Sequence, residues 1–147
     1  MSEKKTIIDD NFCSSSSSLV KIANVGNLAN MEKRKLLKEL SDQKFALDQS
    51  AIVSVTDALG SITDVNDMFC KVSGYSRNEL IGQNHRIMKS NEHSKFFFAD
   101  LWDKISRGQI WRGEICNLTK NGEPYWMYTT IVPFLNDEGC AYQYVTV

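Results

Sequence analysis

The spacing of apolar and polar residues changes character twice along the chain. Over residues 1–30, weakly apolar pieces flank a run of five serines, Ser14 to Ser18, and no period is held long enough to bury a face. A flexible leader is expected over 1–30. From Met31 to Asp48 the run MEKRKLLKELSDQKFALD is dense in strong helix formers and contains neither Gly nor Pro, with Asn30 as an N-cap ahead of it. The pattern predicts a helix over 31–48. Within it Leu36, Leu40, Gln43 and Leu47 recur at coiled-coil-like spacing with one polar member in the seam. Such a stripe either lies against its own domain or pairs with a second copy.

Beyond residue 49 the period shortens to that of strands and turns. Ala51–Asp57 and Ile62–Val65 are strand-length runs separated by Ala58-Leu59-Gly60-Ser61, a hairpin signal. Asn66–Val72 and Arg77–Ile81 predict two short helices, the second with Ser76 as N-cap and Glu79 completing a capping box. Ser94–Ser106 sets Phe97, Leu101 and Ile105 on one helical face beside Phe98 and Trp102, and Gly108 ends it. Three more strand runs follow, Ile110–Leu118, Tyr125–Phe134 and Ala141–Val147, joined by Asn121-Gly122 and Asp137-Glu138-Gly139. Two strands, a helical excursion and three antiparallel strands define an α+β class: a five-stranded antiparallel sheet with helices on one face and an N-terminal helix. The excursion cannot cover the sheet evenly, so a pocket between helices and sheet is expected.

Composition narrows the functional classes. Of 147 residues, 17 are Lys or Arg and 18 are Asp or Glu, a formal net charge of -1 that supplies no field for a phosphate backbone. Neither nucleic acid nor a membrane surface is expected as a partner. No apolar run approaches the ~20 residues that cross a bilayer, and the N-terminus lacks the apolar core of a secretion signal, so a cytoplasmic location is expected. Cys13, Cys70, Cys116 and Cys140 form no Cys-x-x-Cys pair, and His85 and His93 have no ligand-spaced partners, which argues against zinc and a disulfide framework. No nucleophile elbow or phosphate loop is present in the sequence.

Three motifs in order, ITDVNDMF at 62–69, SGYSRNELIG at 73–82 and KNGEPYW at 120–126, make residues 49–147 resemble a PAS domain. The resemblance implies a sensor or interaction module that itself catalyses nothing. It also implies a place in a larger kinase, cyclic-di-GMP enzyme or chemoreceptor, with a C-terminal output domain outside this chain and a homodimer formed through the N-terminal helix. FADLW, WRGEICN and KNGEPYW are similar to segments of the flavin-binding PAS domains of aerotaxis receptors and nitrogen-fixation redox sensors. There the helix tryptophan lies against the isoalloxazine and the strand asparagine hydrogen-bonds it, roles that fall here on Trp102 and Asn117, with FAD or FMN as cofactor. An aromatic wall and an amide that both donates and accepts suit such a ring.

Strand alternation puts Trp111, Gly113, Ile115 and Asn117 on one face. Phe98, Ile115, Asn66, Asn84, His85 and Arg86 complete the candidate site, the last two offering a switchable donor and a bidentate fork. Each has a purely structural alternative: a core position for Trp102, a strand-edge amide for Asn117, an N-cap for Asn66, loop polarity for residues 84–86. Two departures shape the expectation. GQNHRIM at 82–88 resembles the motif that carries the photoreactive cysteine in light-sensing LOV domains, with His85 at the cysteine's place and Val147 at what resembles the place of their responsive glutamine, which excludes that photocycle. Leu118-Thr119 follow Asn117 where the aerotaxis-like domains have a basic pair, leaving fewer cations on that strand for a pyrophosphate. Haem held by His93 is the competing cofactor, and a self-filled relay module with another ligand or none is the competing function.

Overall fold

The computed structural model describes residues 14–147, with side chains from Val25 onward. The described residues divide into two compact units, one ending at Lys44 and the other running from Phe45 to Val147. Helix α1 (Ser14–Ser50) begins seventeen residues before the expected Met31 and takes in the serine run and Asn30, so a helix replaces the expected leader over 14–30. Serine costs only a few tenths of a kcal/mol per helical position, and extending a nucleated helix is far easier than starting one. The rest of the expected leader, residues 1–13, lies outside the described residues. Along α1, Leu36, Leu37 and Leu40 are each more than half exposed, and Lys38 pairs with Asp42 one turn on. Among the described residues no helix is long and apolar enough to cross a membrane.

The second unit is built on five strands, β1 (Ser54–Asp57), β2 (Ile62–Val65), β3 (Trp111–Leu118), β4 (Pro124–Leu135) and β5 (Ala141–Thr146). They form one antiparallel sheet in the order β2-β1-β5-β4-β3, which closes β1 against β5 and leaves β2 and β3 at the edges. The five-stranded expectation holds. The β1–β2 hairpin is fixed by Asp57, whose Oδ1 accepts from the N–H groups of Leu59 and Ser61, while Gly60 adopts φ +83, a conformation in which a Cβ is strained. Those donors, Ser61 first, hold the Asp57 carboxyl below its ordinary value.

Between the hairpins lie α2 (Asp67–Ser73), α3 (Arg77–Leu80), a single 3-10 turn (His85–Met88) and α4 (Lys95–Ser106). Ser94 caps α4 by accepting from Phe97 N–H, and α3 opens with Ser76 donating through N–H and Oγ to Glu79. Lys120 also binds that carboxylate and is the chief cause of its fall to about 2. The core is in two parts. Leu101 and Ile105 of α4 pack on Trp111, Ile115, Ile131 and Tyr144 of the sheet, while Ile62, Val65, Phe69, Leu80 and Met88 form the second cluster. Each buried side chain is worth roughly 1.5–3 kcal/mol. The Trp111–Gly113 spacing has a packing cause: a Cβ at Gly113 would lie 2.7 Å from the Trp111 ring, so the glycine makes room for the indole to fold along its own strand.

Candidate functional site

A cavity of about 420 Å³ is lined by α4 on one side and the sheet on the other. Its size falls in the range of small-molecule sites. Alternate residues of β3 face it as strand geometry requires, with Ile115 and Asn117 directed inward across from Met127 and Tyr125 of β4. Leu101, Ile105 and the expected Phe98 and Trp102 form the helix wall. Trp102 is half-buried and meets Tyr144 edge-on at 5.6 Å between ring centres, so its indole borders the cavity while its edge belongs to the core.

Asn117 is 7% exposed as a residue, and its side-chain amide, with no hydrogen bond to the described residues, is open to the cavity. A ligand that covers this amide must pair with it, since leaving it dry and unpaired would cost roughly 1–3 kcal/mol. Thr56 and Thr129 add buried hydroxyls, the latter turned 3.4 Å from its own strand's Met127 carbonyl. The mouth is basic. Arg86, Lys89 and Lys95 all line it, and the Lys89 ammonium stands 5.2 Å over the Phe98 ring. Lys89 is set in place by a backbone bridge to Asn117, which draws the segment after the 3-10 turn onto the edge of β3.

Asn84 and His85 also reach the cavity, with structural duties of their own. Asn84 caps the 3-10 turn by accepting from Arg86 N–H and donates to Leu59 O, tying the turn to the β1–β2 hairpin. His85 donates its backbone N–H to Gly60 O, and its Nε2 lies 3.4 Å from Ser54 Oγ. Burial pushes its imidazole down to about 4. Gly60, read from sequence only as a turn residue, is also a contact residue: a Cβ there would lie 3.0 Å from Trp102.

Asn66 stands apart from this set. It is the α2 cap, 5% exposed, with Oδ1 accepting from Phe69 N–H and Val53 N–H and Nδ2 donating to Ala51 O and Asp48 O. It does not line the cavity, and its hydrogen bonds go to the start of α2, the end of α1 and the chain between α1 and β1. His93 is likewise outside the cavity. Its Nε2 accepts from Cys116 N–H at 2.9 Å and its ring stacks on Phe97, an arrangement that gives no support to haem ligation through that nitrogen. The basic groups at the mouth come from the 3-10 segment and α4 rather than from the strand after Asn117, so Lys89 and Lys95 are the site residues that the sequence reading missed.

An antiparallel sheet with helices on one face, enclosing a polar-anchored apolar cavity, is the architecture of a small-ligand sensor module. Residues 49–147 match the family model for the PAS domain. The chain belongs to the PAS domain family. It is 38% identical over 90 residues to the aerotaxis receptor of Escherichia coli (strain K12), covering 61% of this chain and 18% of the receptor. Over 98 residues it is 33% identical to the nitrogen fixation regulatory protein of Klebsiella pneumoniae, covering 67% of this chain and 20% of that protein. This chain therefore spans about a fifth of the length of these relatives. The crystal structure of a PAS domain from Colwellia psychrerythraea superposes with a TM-score of 0.65 at 24% identity, covering 73% of this chain and 92% of that one.

Proposed function

We propose that this PAS sensor domain binds a flavin, FAD or FMN, and reports its redox state, and through it oxygen or reductant supply, to an output domain. The observation that carries the reading is the Asn117 amide, open to an aromatic-walled cavity whose mouth holds three cations. An isoalloxazine offers donors and acceptors to such an amide and an apolar face to Trp102 and Phe98, while Arg86, Lys89 and Lys95 suit a phosphate or pyrophosphate tail. When bound, the flavin supplies the electron-accepting chemistry, and the chain orients it, shields it from water and responds to its charge. The reading is of a signalling module in a cytoplasmic protein, not of a catalyst. The exposed leucines of α1 support pairing with a second copy, through which the signal would reach a partner.

The test is visible absorption of the purified chain after incubation with FAD or FMN, before and after dithionite. Bound oxidised flavin that bleaches on reduction is the expected result. Asn117→Ala should weaken binding about tenfold, near 1.4 kcal/mol, and Trp102→Ala by at least as much. Full flavin retention in both variants would refute the assignment.

A further inference from the structure

His85 is the one group with a perturbed imidazole on the cavity wall, and its position gives it a second neighbour. A further hollow of about 540 Å³ lies beside it, bounded by Ser50, Ala51 and Ile52 where the chain leaves α1 and by Val147 after β5. Only His85, Met127 and Thr146 line both spaces among the described residues. The His85 ring is anchored on two sides, by Ser54 Oγ and by the edge of Phe69 at 6.0 Å. Ser54 is fully buried on β1, opposite Val65 of β2 and Thr146 of β5. The next residue, Val53, is held by Asn66, which also binds Ala51 O.

The charges around the ring are all of one kind. On its own turn and just beyond stand Arg86 and Lys89, and on α4 Lys95; Tyr144 of β5 faces the first space and Tyr128 of β4 the second. Desolvation keeps the imidazole neutral at physiological pH, and among the described residues no carboxylate lines the spaces beside it. A negative charge on the cavity's ligand is the missing counter-ion.

We propose that His85 takes up a proton when negative charge develops on the ligand in the cavity, and that Ser54 carries the change to the segment joining α1 to the sheet. The proposal rests on the flavin reading. Two electrons from an external low-potential donor, with one proton bound at the ring, leave one negative charge in the cavity; His85 takes one further proton from solvent at Nε2, and the cavity's net charge is unchanged. In the neutral tautomer that carries its proton on Nδ1, Nε2 accepts from the Ser54 hydroxyl, whereas in the imidazolium Nε2 donates to it. The hydroxyl must turn, and the side-chain contact between the 3-10 turn and β1 reverses its polarity.

The experiment is a potentiometric titration of the flavin-reconstituted chain between roughly pH 6 and pH 8, where an ordinary imidazole changes charge. The wild type should lose potential with rising pH more steeply than His85→Gln, by up to tenfold in the redox equilibrium per pH unit, about 30 mV for a two-electron couple. The ¹⁵N shifts of the wild-type His85 ring, read in both redox states, report the same proton without any substitution. Ser54→Ala should keep the steep slope and lose the redox-dependent change in amide exchange at residues 51–53. Equal slopes with flavin bound in both proteins, or a ring that stays neutral on reduction, would overturn proton uptake. An exchange change that survives in Ser54→Ala would overturn the relay. A wild-type chain that takes up no flavin would overturn the flavin reading, and this proposal with it.

Discussion

Replacing Asn66 by alanine separates a cap from a ligand contact. The side chain serves four backbone groups: Phe69 N–H at 2.9 Å, Val53 N–H at 3.1 Å, Ala51 O at 2.7 Å and Asp48 O at 3.4 Å. Loss of an N-cap costs typically about 1 kcal/mol. The Val53 N–H is the larger loss, since Val53 is 6% exposed and a buried donor left without a partner costs roughly 1–3 kcal/mol. The Ala51 and Asp48 bonds add less, and the contributions of one side chain overlap, so about 3 kcal/mol is expected in all. With a urea slope of roughly 2 kcal/mol/M, the unfolding midpoint should fall by about 1.5 M with the slope unchanged. The probe is the emission of Trp102 and Trp111, both packed in the α4–sheet cluster. Asn66→Asp keeps both acceptor bonds but sets a carboxylate against the Ala51 carbonyl, and should lose about half as much. Asn66→Ala that unfolds at the wild-type midpoint, yet no longer binds flavin, would refute the cap and restore Asn66 to the site.

Other expectations follow from the same geometry. His85 binds its proton at about 4 in the folded chain against 6.5 in the unfolded one, so the unfolded state holds more protons between these values. Stability should therefore be unaffected by this group above about pH 6.5, fall as the pH drops toward about 4 by up to about 3 kcal/mol, and level off below; the difference between wild type and His85→Gln in urea titrations across pH isolates it. Glu79 titrates in a lower window. Its stabilising bonds to Lys120 and Ser76 should persist above pH 4.5 and disappear as the pH falls through about 2, a loss that Glu79→Gln should not show. Gly60→Ala combines a left-handed backbone with a Cβ 3.0 Å from Trp102, and should cost about 1–2 kcal/mol in thermal unfolding while shifting the indole emission. An alanine variant as stable as wild type, with unchanged emission, would show that the indole does not rest on this turn.

The difference between what the chain's pattern revealed and what it concealed follows the range of the interactions. Strand alternation on β3 was enough to put Ile115 and Asn117 on the inward face, and helical spacing was enough to aim Leu101 and Ile105 at the sheet, because both periodicities are local. Asn66 shows the limit. Its cap to Phe69 spans three residues and is legible as an N-terminal signal, but Val53, Ala51 and Asp48 are partners only after β1 has turned back onto α2, and an asparagine that serves a ligand looks the same in sequence as one that serves a backbone. Lys89 and Lys95 were concealed for a related reason. The strand beyond Asn117 carries Leu118 and Thr119 rather than cations, whereas the bridge from Lys89 to Asn117 brings a different segment to the same edge, and nothing in a run of polar residues after a 3-10 turn marks that pairing. Gly60 carries both kinds of signal at once: its turn chemistry is local, and its closeness to Trp102 is a long-range contact, in a hairpin that Asn84 ties to the 3-10 turn. A site assembled from one strand, one helix and two turns is thus readable where a single element sets the side chain's direction, and hidden where the direction depends on which elements meet.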